Sequence, residues 1–142
     1  MNGLRIWLAY EVFAAGSPGQ RDQFVKNLDT AFGLAAKYEC VELDGGVITG
    51  RHAGISCADE GKAEAVADLV EAKIARAREA VGQHAELMFN PVMAYDVEFT
   101  IRLAERLRPY ELRWLEEPLF PEDLEGHIQI RKAITWIPLA TG

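Results

Sequence analysis

The sequence has 142 residues and a mass of 15.8 kDa, with 49% hydrophobic and 26% charged residues, the balance of one globular domain. Lys and Arg number 15 against 22 Asp and Glu, a net charge of −7, which is the wrong sign for a nucleic-acid binder. No apolar run reaches the length of a membrane span, and the two cysteines, Cys40 and Cys57, form neither a disulfide framework nor a metal-binding spacing. The first fifteen residues lack the pattern of a secretory leader, so the cytosol is the expected location.

Residues 4–9 (LRIWLA) are a short apolar run rich in strand formers. Residues 15–20 (AGSPGQ) form a loop by composition. A helix is predicted over residues 21–32, where Phe24, Val25, Leu28, Ala31 and Phe32 recur at helical spacing, and Gly33 is its predicted stop. Residues 35–43 (AAKYECVEL) make the next strand. Residues 44–56 hold four glycines and read as a long loop. Residues 59–81 give the strongest helical pattern, with Val66, Leu69, Val70, Ile74, Ala77 and Val81 on one side and Gly82 as the stop. Asp59 and Glu60 suit the positive end of its dipole, and its mixed charges read as a solvated face.

The second half repeats faster. Strands are predicted at 85–89 (AELMF), 112–115 (LRWL) and 136–140 (WIPLA), with helices at 95–107 and from Pro121 to about Ala133. Pro109 closes the first of these helices, and Pro138 weakens the last strand because it has no N–H to donate. Strand starts at 85, 112 and 136 recur about every 25 residues, the rhythm of a β/α unit. Such alternation implies a mostly parallel sheet covered by helices. It does not separate an open doubly wound sheet from part of a closed barrel. A complete eight-fold barrel needs roughly 250 residues, more than this chain has.

In parallel β/α proteins the chemistry sits at the C-terminal ends of strands. The residues there are Asn90, then Glu116 and Glu117, then Thr141 and Gly142. Oxygen ligands from neighbouring strand ends suit a hard cation such as magnesium; a solvated acidic turn is the alternative reading. His52 lies in the glycine-rich loop after the second strand, and His84 and His127 lie at helix ends. All three read as exposed or structural. Trp7, Trp114 and Trp136 lie on strands and read as core or interface. Gly45, Gly46 and Gly50 lack phosphate-loop spacing.

Trp114-Leu115-Glu116-Glu117-Pro118-Leu119 resembles the W-[IL]-E-E-P strand end of the enolase superfamily, in its mandelate racemase/muconate lactonizing branch. Pro121 to His127 is similar to the P-x-D-[LY]-x-G-H start of the following helix, and Ile137 to Gly142 to the next strand, [IV]-P-[IL]-A-T-G. Val81-Gly82, Glu86-Leu87-Met88 and Ala94 to Glu98 are similar to the segment upstream. The resemblance is clear from about Ala75 to Gly142 and weaker over residues 4–43. The stretch VEFTIRLAERLRPYELRWLEEPL is most similar to the sugar-acid dehydratases of the rhamnonate dehydratase group.

The resemblance implies an α/β fold: a partial (β/α) barrel of about five units spanning residues 1–142, truncated, without the capping domain and later strands of the family. It implies removal of a proton next to a carboxylate, an enediolate held by Mg2+, and loss of water to give a 2-keto-3-deoxy acid from a small sugar acid. The family's second metal ligand falls on Glu116. Its first, normally Asp, falls on Asn90, which offers a neutral carbonyl and no charge. Its third would fall just after Gly142. The lysine pair that supplies a base in many members falls near Lys37, where no second lysine follows. The resemblance thus leaves two expectations: a magnesium-dependent acid-sugar dehydratase, or a non-catalytic fragment of one that associates, as a homo-oligomer or with another chain, through its exposed barrel edges.

Overall fold

Five short runs of strand-forming residues alternate with helices, and the backbone follows that alternation. The computed structural model describes residues 3–7, 18–35, 40–44 and 60–141. In chain order these are β1 (Gly3–Trp7), α1 (Pro18–Ala35), β2 (Cys40–Asp44), α2 (Glu60–Val81), β3 (Glu86–Asn90), α3 (Val97–Leu107), a 3-10 turn (Arg108–Tyr110), β4 (Leu115–Glu116), α4 (Leu124–Ala133) and β5 (Leu139–Ala140).

Each described strand is parallel to the next, and the sheet order is β1-β2-β3-β4-β5. This order decides between the two architectures left open by periodicity. A doubly wound sheet reverses direction at a switch point, whereas a barrel adds each strand beside its predecessor. The described strands make an unreversed arc, and neighbouring helices α1 to α4 pack on one another in the same order.

The element boundaries move for identifiable reasons. Helix α1 is longer than predicted at both ends. Pro18 fits the first helical turn, where no N–H partner is needed, and Gly33 is carried within the helix rather than ending it. Gly82 does end α2: it takes φ +74°, the left-handed cap that glycine adopts without penalty. Helix α3 starts after Tyr95, because Asp96 caps it with a side-chain oxygen that accepts the Phe99 N–H at 2.8 Å. Removing that acceptor in Asp96→Ala is expected to lower the unfolding free energy by about 1 kcal/mol, measured by urea denaturation.

Helix α4 begins at Leu124 rather than Pro121, since Asp123 caps it through the Gly126 N–H at 2.9 Å. A Cβ at position 126 would lie 2.5 Å from Asp123 Oδ2 and 2.6 Å from Leu119 Cδ1, so glycine is required there. Strand β4 is Leu115–Glu116, later than residues 112–115, although the Arg113 N–H already reaches Leu87 O at 2.8 Å. Strand β5 shrinks to Leu139–Ala140. Pro138 contributes only its carbonyl, which accepts the Leu115 N–H at 3.0 Å.

The sheet's two faces differ. Leu87, Phe89 and Leu115 join Val66, Val70, Ile74, Phe99, Leu103, Leu107, Ile130 and Ile137 in the core between strands and helices. Residues alternate along a strand, so Met88, Asn90, Trp114 and Glu116 fall on the opposite face, the interior side of the arc. The polar side of α2 is not simply solvated. Arg106 on α3 binds Glu64, Asp68 and Glu71 at 2.6–2.7 Å, and Arg102 also pairs with Glu64. These carboxylates are partly exposed, so each pair contributes little energy; together they fix how α3 lies along α2.

Candidate functional site

Strand register builds a row of residues at the C-terminal ends of the strands. Trp7 pairs with Asp44, Asp44 with Asn90, and Glu116 with Ala140. Phe89 pairs with Leu115, which sets Asn90 beside Glu116. The two residues that the sequence assigns to a metal are therefore brought together. Asp44, read from sequence as the first loop residue, is the last residue of β2 and holds the position next to Asn90. Lys37, His52 and Cys57 lie outside the described residues.

Asn90 is 4% exposed, so each of its polar atoms needs a partner. Its Oδ1 accepts the Val92 N–H at 2.8 Å, and its Nδ2 donates to Glu116 Oε1 at 3.3 Å. The other carboxylate oxygen, Glu116 Oε2, accepts the Trp114 Nε1–H at 2.9 Å. Trp114 is thus a site residue that sequence reasoning assigned to core or interface. The available signal was spacing: positions 114 and 116 are two apart on a strand and share a face.

The loops above the row are held in uncommon backbone conformations. Val92, Met93 and Glu117 have φ of 52°, 58° and 45°, left-handed values that a β-branched valine in particular resists. They persist because the two loops are tied together. The Met93 N–H donates to Glu117 O at 2.6 Å, the Tyr95 N–H to Pro118 O at 3.2 Å, and the Glu117 N–H to Ala140 O at 2.9 Å. Strained residues of this kind gather where a site's geometry is over-determined. Beneath them the Tyr95 hydroxyl is buried and finds no hydrogen-bond partner among the described residues; burial alone pushes its proton affinity up.

The donor set does not fit Mg2+. That ion wants oxygen ligands in near-octahedral order. Among the described residues there is no group of three or more His, Cys, Asp and Glu that could hold a metal. Glu116 is the one carboxylate in the Asn90–Glu116–Trp114 cluster, and the atom of Asn90 that faces it is a nitrogen. The remaining histidines stay apart from the row. His84 is exposed, and His127 sets Nδ1 2.7 Å from Asp123 O in the first turn of α4. Trp136 donates from Nε1 to Glu105 at 3.1 Å, with Arg108 stacked over its ring. None of the described helices is long and apolar enough to cross a membrane.

Residues 35–142 match the sequence model of the family described as Enolase C-terminal domain-like. An L-rhamnonate dehydratase from Saccharopolyspora erythraea is 41% identical over 69 residues, which are 49% of this chain and 18% of that protein. An L-talarate/galactarate dehydratase from Salmonella typhimurium is 37% identical over 70 residues, 49% of this chain and 17% of that protein. The matched segment is therefore less than a fifth of either relative's length. Among solved structures, a racemase from Streptomyces coelicolor with bound magnesium superposes with a TM-score of 0.61 at 24% identity, over 83% of this chain and 28% of that one. At that identity the likeness speaks for the fold.

Proposed function

Because the chain belongs to the Enolase C-terminal domain-like family, we propose that it is one arc of an acid-sugar dehydratase barrel and that Glu116 is the carboxylate it brings to the mouth. The substrate class is a small sugar acid, in keeping with the dehydratases it resembles across 49% of its length. The reaction is removal of a proton beside the substrate carboxylate, followed by loss of a β-hydroxyl as water. The observation that carries this reading is the row Asn90–Glu116–Ala140, which sets the Glu116 carboxylate at neighbouring strand ends under two tied loops.

Proton removal next to a carboxylate builds a second negative charge, which a site must meet with preorganised positive charge or donors. In the cluster the donors are the Asn90 amide and the Trp114 indole, and both are engaged by Glu116. The charge-stabilising group and the base therefore belong to residues outside this cluster, with Lys37 the candidate base that the resemblance offers. A homo-oligomeric contact through the β5 edge is part of the same proposal.

A segment exchange tests the reading. Residues 86–140 carrying Asn90→Asp, placed into the Saccharopolyspora erythraea L-rhamnonate dehydratase, are expected to yield a folded enzyme that still forms a 2-keto acid from L-rhamnonate. A folded chimera without product overturns the proposal. A second reading, that the chain alone turns nothing over, is favoured by the nitrogen of Asn90 facing Glu116. Incubating the purified chain with L-rhamnonate, L-talarate and galactarate, with product formation as readout, decides it.

A further inference from the structure

We infer that in this chain the Asn90 amide occupies the place of a cation: Asn90, Glu116 and Trp114 form a closed, metal-independent clasp across β3 and β4. An asparagine side chain can sit either way round, and its hydrogen-bond partners decide which way. Here the Val92 N–H, 2.8 Å from Oδ1, decides it. Turning the amide over would set its NH2 against that N–H and leave a buried donor without an acceptor. Nδ2 is thereby committed to Glu116 Oε1.

The second carboxylate oxygen is committed as well, to the Trp114 indole N–H at 2.9 Å. Glu116 thus has one N–H donor on each oxygen, and toward it Asn90 presents an N–H rather than an oxygen. A hard divalent ion coordinates oxygen and gains nothing from an N–H. The turn at Pro91 belongs to the same device, since it brings the Val92 N–H back to Asn90 Oδ1 two residues before it, in an Asx turn. A carboxylate at position 90 would accept the Val92 N–H with one oxygen and present the other to Glu116, creating two facing negative charges that call for a cation.

The experiment uses the whole chain and Mn2+ as the probe, read by the loss of its free-ion electron paramagnetic resonance signal, with thermal melts in EDTA and in millimolar Mg2+. The wild-type protein is expected to leave the Mn2+ signal free at micromolar protein and to melt at the same temperature in both buffers. Asn90→Asp is expected to melt lower than wild type in EDTA, to recover with Mg2+, and to bind Mn2+ at least tenfold more tightly than wild type. Glu116→Gln keeps an acceptor for one donor and should titrate like wild type. Stoichiometric Mn2+ binding by the wild type that Glu116→Gln abolishes would overturn the inference. If Asn90→Asp does not fold even with Mg2+, the comparison of wild type with Glu116→Gln still decides it.

Discussion

Arg78→Met is expected to lower the free energy of unfolding by about 4 kcal/mol, the largest effect of any single side chain outside the apolar core. The residue belongs to the buried stripe of α2 and is 6% exposed. Among the described residues it forms no salt bridge. Instead its guanidinium donates to four carbonyl oxygens: Tyr110 at 2.9 Å, Gly82 at 2.9 Å, Ala85 at 2.7 Å and Glu111 at 3.1 Å. Two of these lie between α2 and β3, and two lie at the end of the 3-10 turn before β4.

One planar group therefore joins the two connections that launch the strands bearing Asn90 and Glu116. Burial lowers its hold on the proton and Glu111 partly restores it, yet an arginine stays charged at any ordinary pH. Methionine fills much of the volume but leaves those carbonyls without donors, and each unsatisfied buried group costs roughly 1–3 kcal/mol. Arg78→Lys should recover less than half of the loss, because an ammonium cannot span four acceptors in one plane. Urea unfolding followed by circular dichroism measures both variants. A loss below about 1 kcal/mol for Arg78→Met would mean that water reaches these carbonyls.

Phe99→Ala is expected to cost about 3–5 kcal/mol, the range for emptying an aromatic site in a core that relaxes only partly. Phe99 is fully buried in the first turn of α3. It meets the Tyr95 ring edge-on, with centroids 4.7 Å apart and planes at 69°, a geometry that adds about 0.5–1.5 kcal/mol beyond burial. The consequence extends to the site. Tyr95 follows the strained Val92–Met93 pair, and its N–H reaches across to Pro118 O. Removing the ring should speed hydrogen exchange at the Val92 and Met93 amides more than at amides of α4. Exchange measured by NMR on a Phe99→Ala sample still folded at 15 °C provides the check, and uniform acceleration would show that only global stability had changed.

Much of the frame is legible from residue order alone. The 3.6-residue recurrence through Val66, Val70, Ile74 and Ala77 identifies α2 and the face it buries, and Gly82 marks its end, because these depend on neighbours within one turn. The segment Trp114 to Leu119 locates the candidate site for a similar reason: strand ends are where parallel β/α folds place chemistry. Boundaries were less legible where a side chain competes with periodicity. Asp96 and Asp123 accept backbone N–H groups and start α3 and α4 later than the apolar pattern implies.

What the tertiary structure alone decided are the through-space facts. Alternation of strands and helices is common to open and closed sheets, so only the pairing of β1 through β5 in unbroken order distinguished an arc of barrel. Asp44 entered the strand-end row by register with Asn90, a relation between segments about forty-six residues apart that local pattern does not encode. The same holds for the chemistry of the site. The sequence names an asparagine and a glutamate, but which atom of the amide faces the carboxylate depends on the Val92 N–H. That N–H points at Asn90 because the backbone turns at Pro91, closing an Asx turn between residues 90 and 92. No residue type announces the left-handed φ of Val92 and Met93, which arises from the bonds between the loops; the Asx turn through Pro91 sets whether the pair presents an oxygen or an N–H to whatever lies between its members.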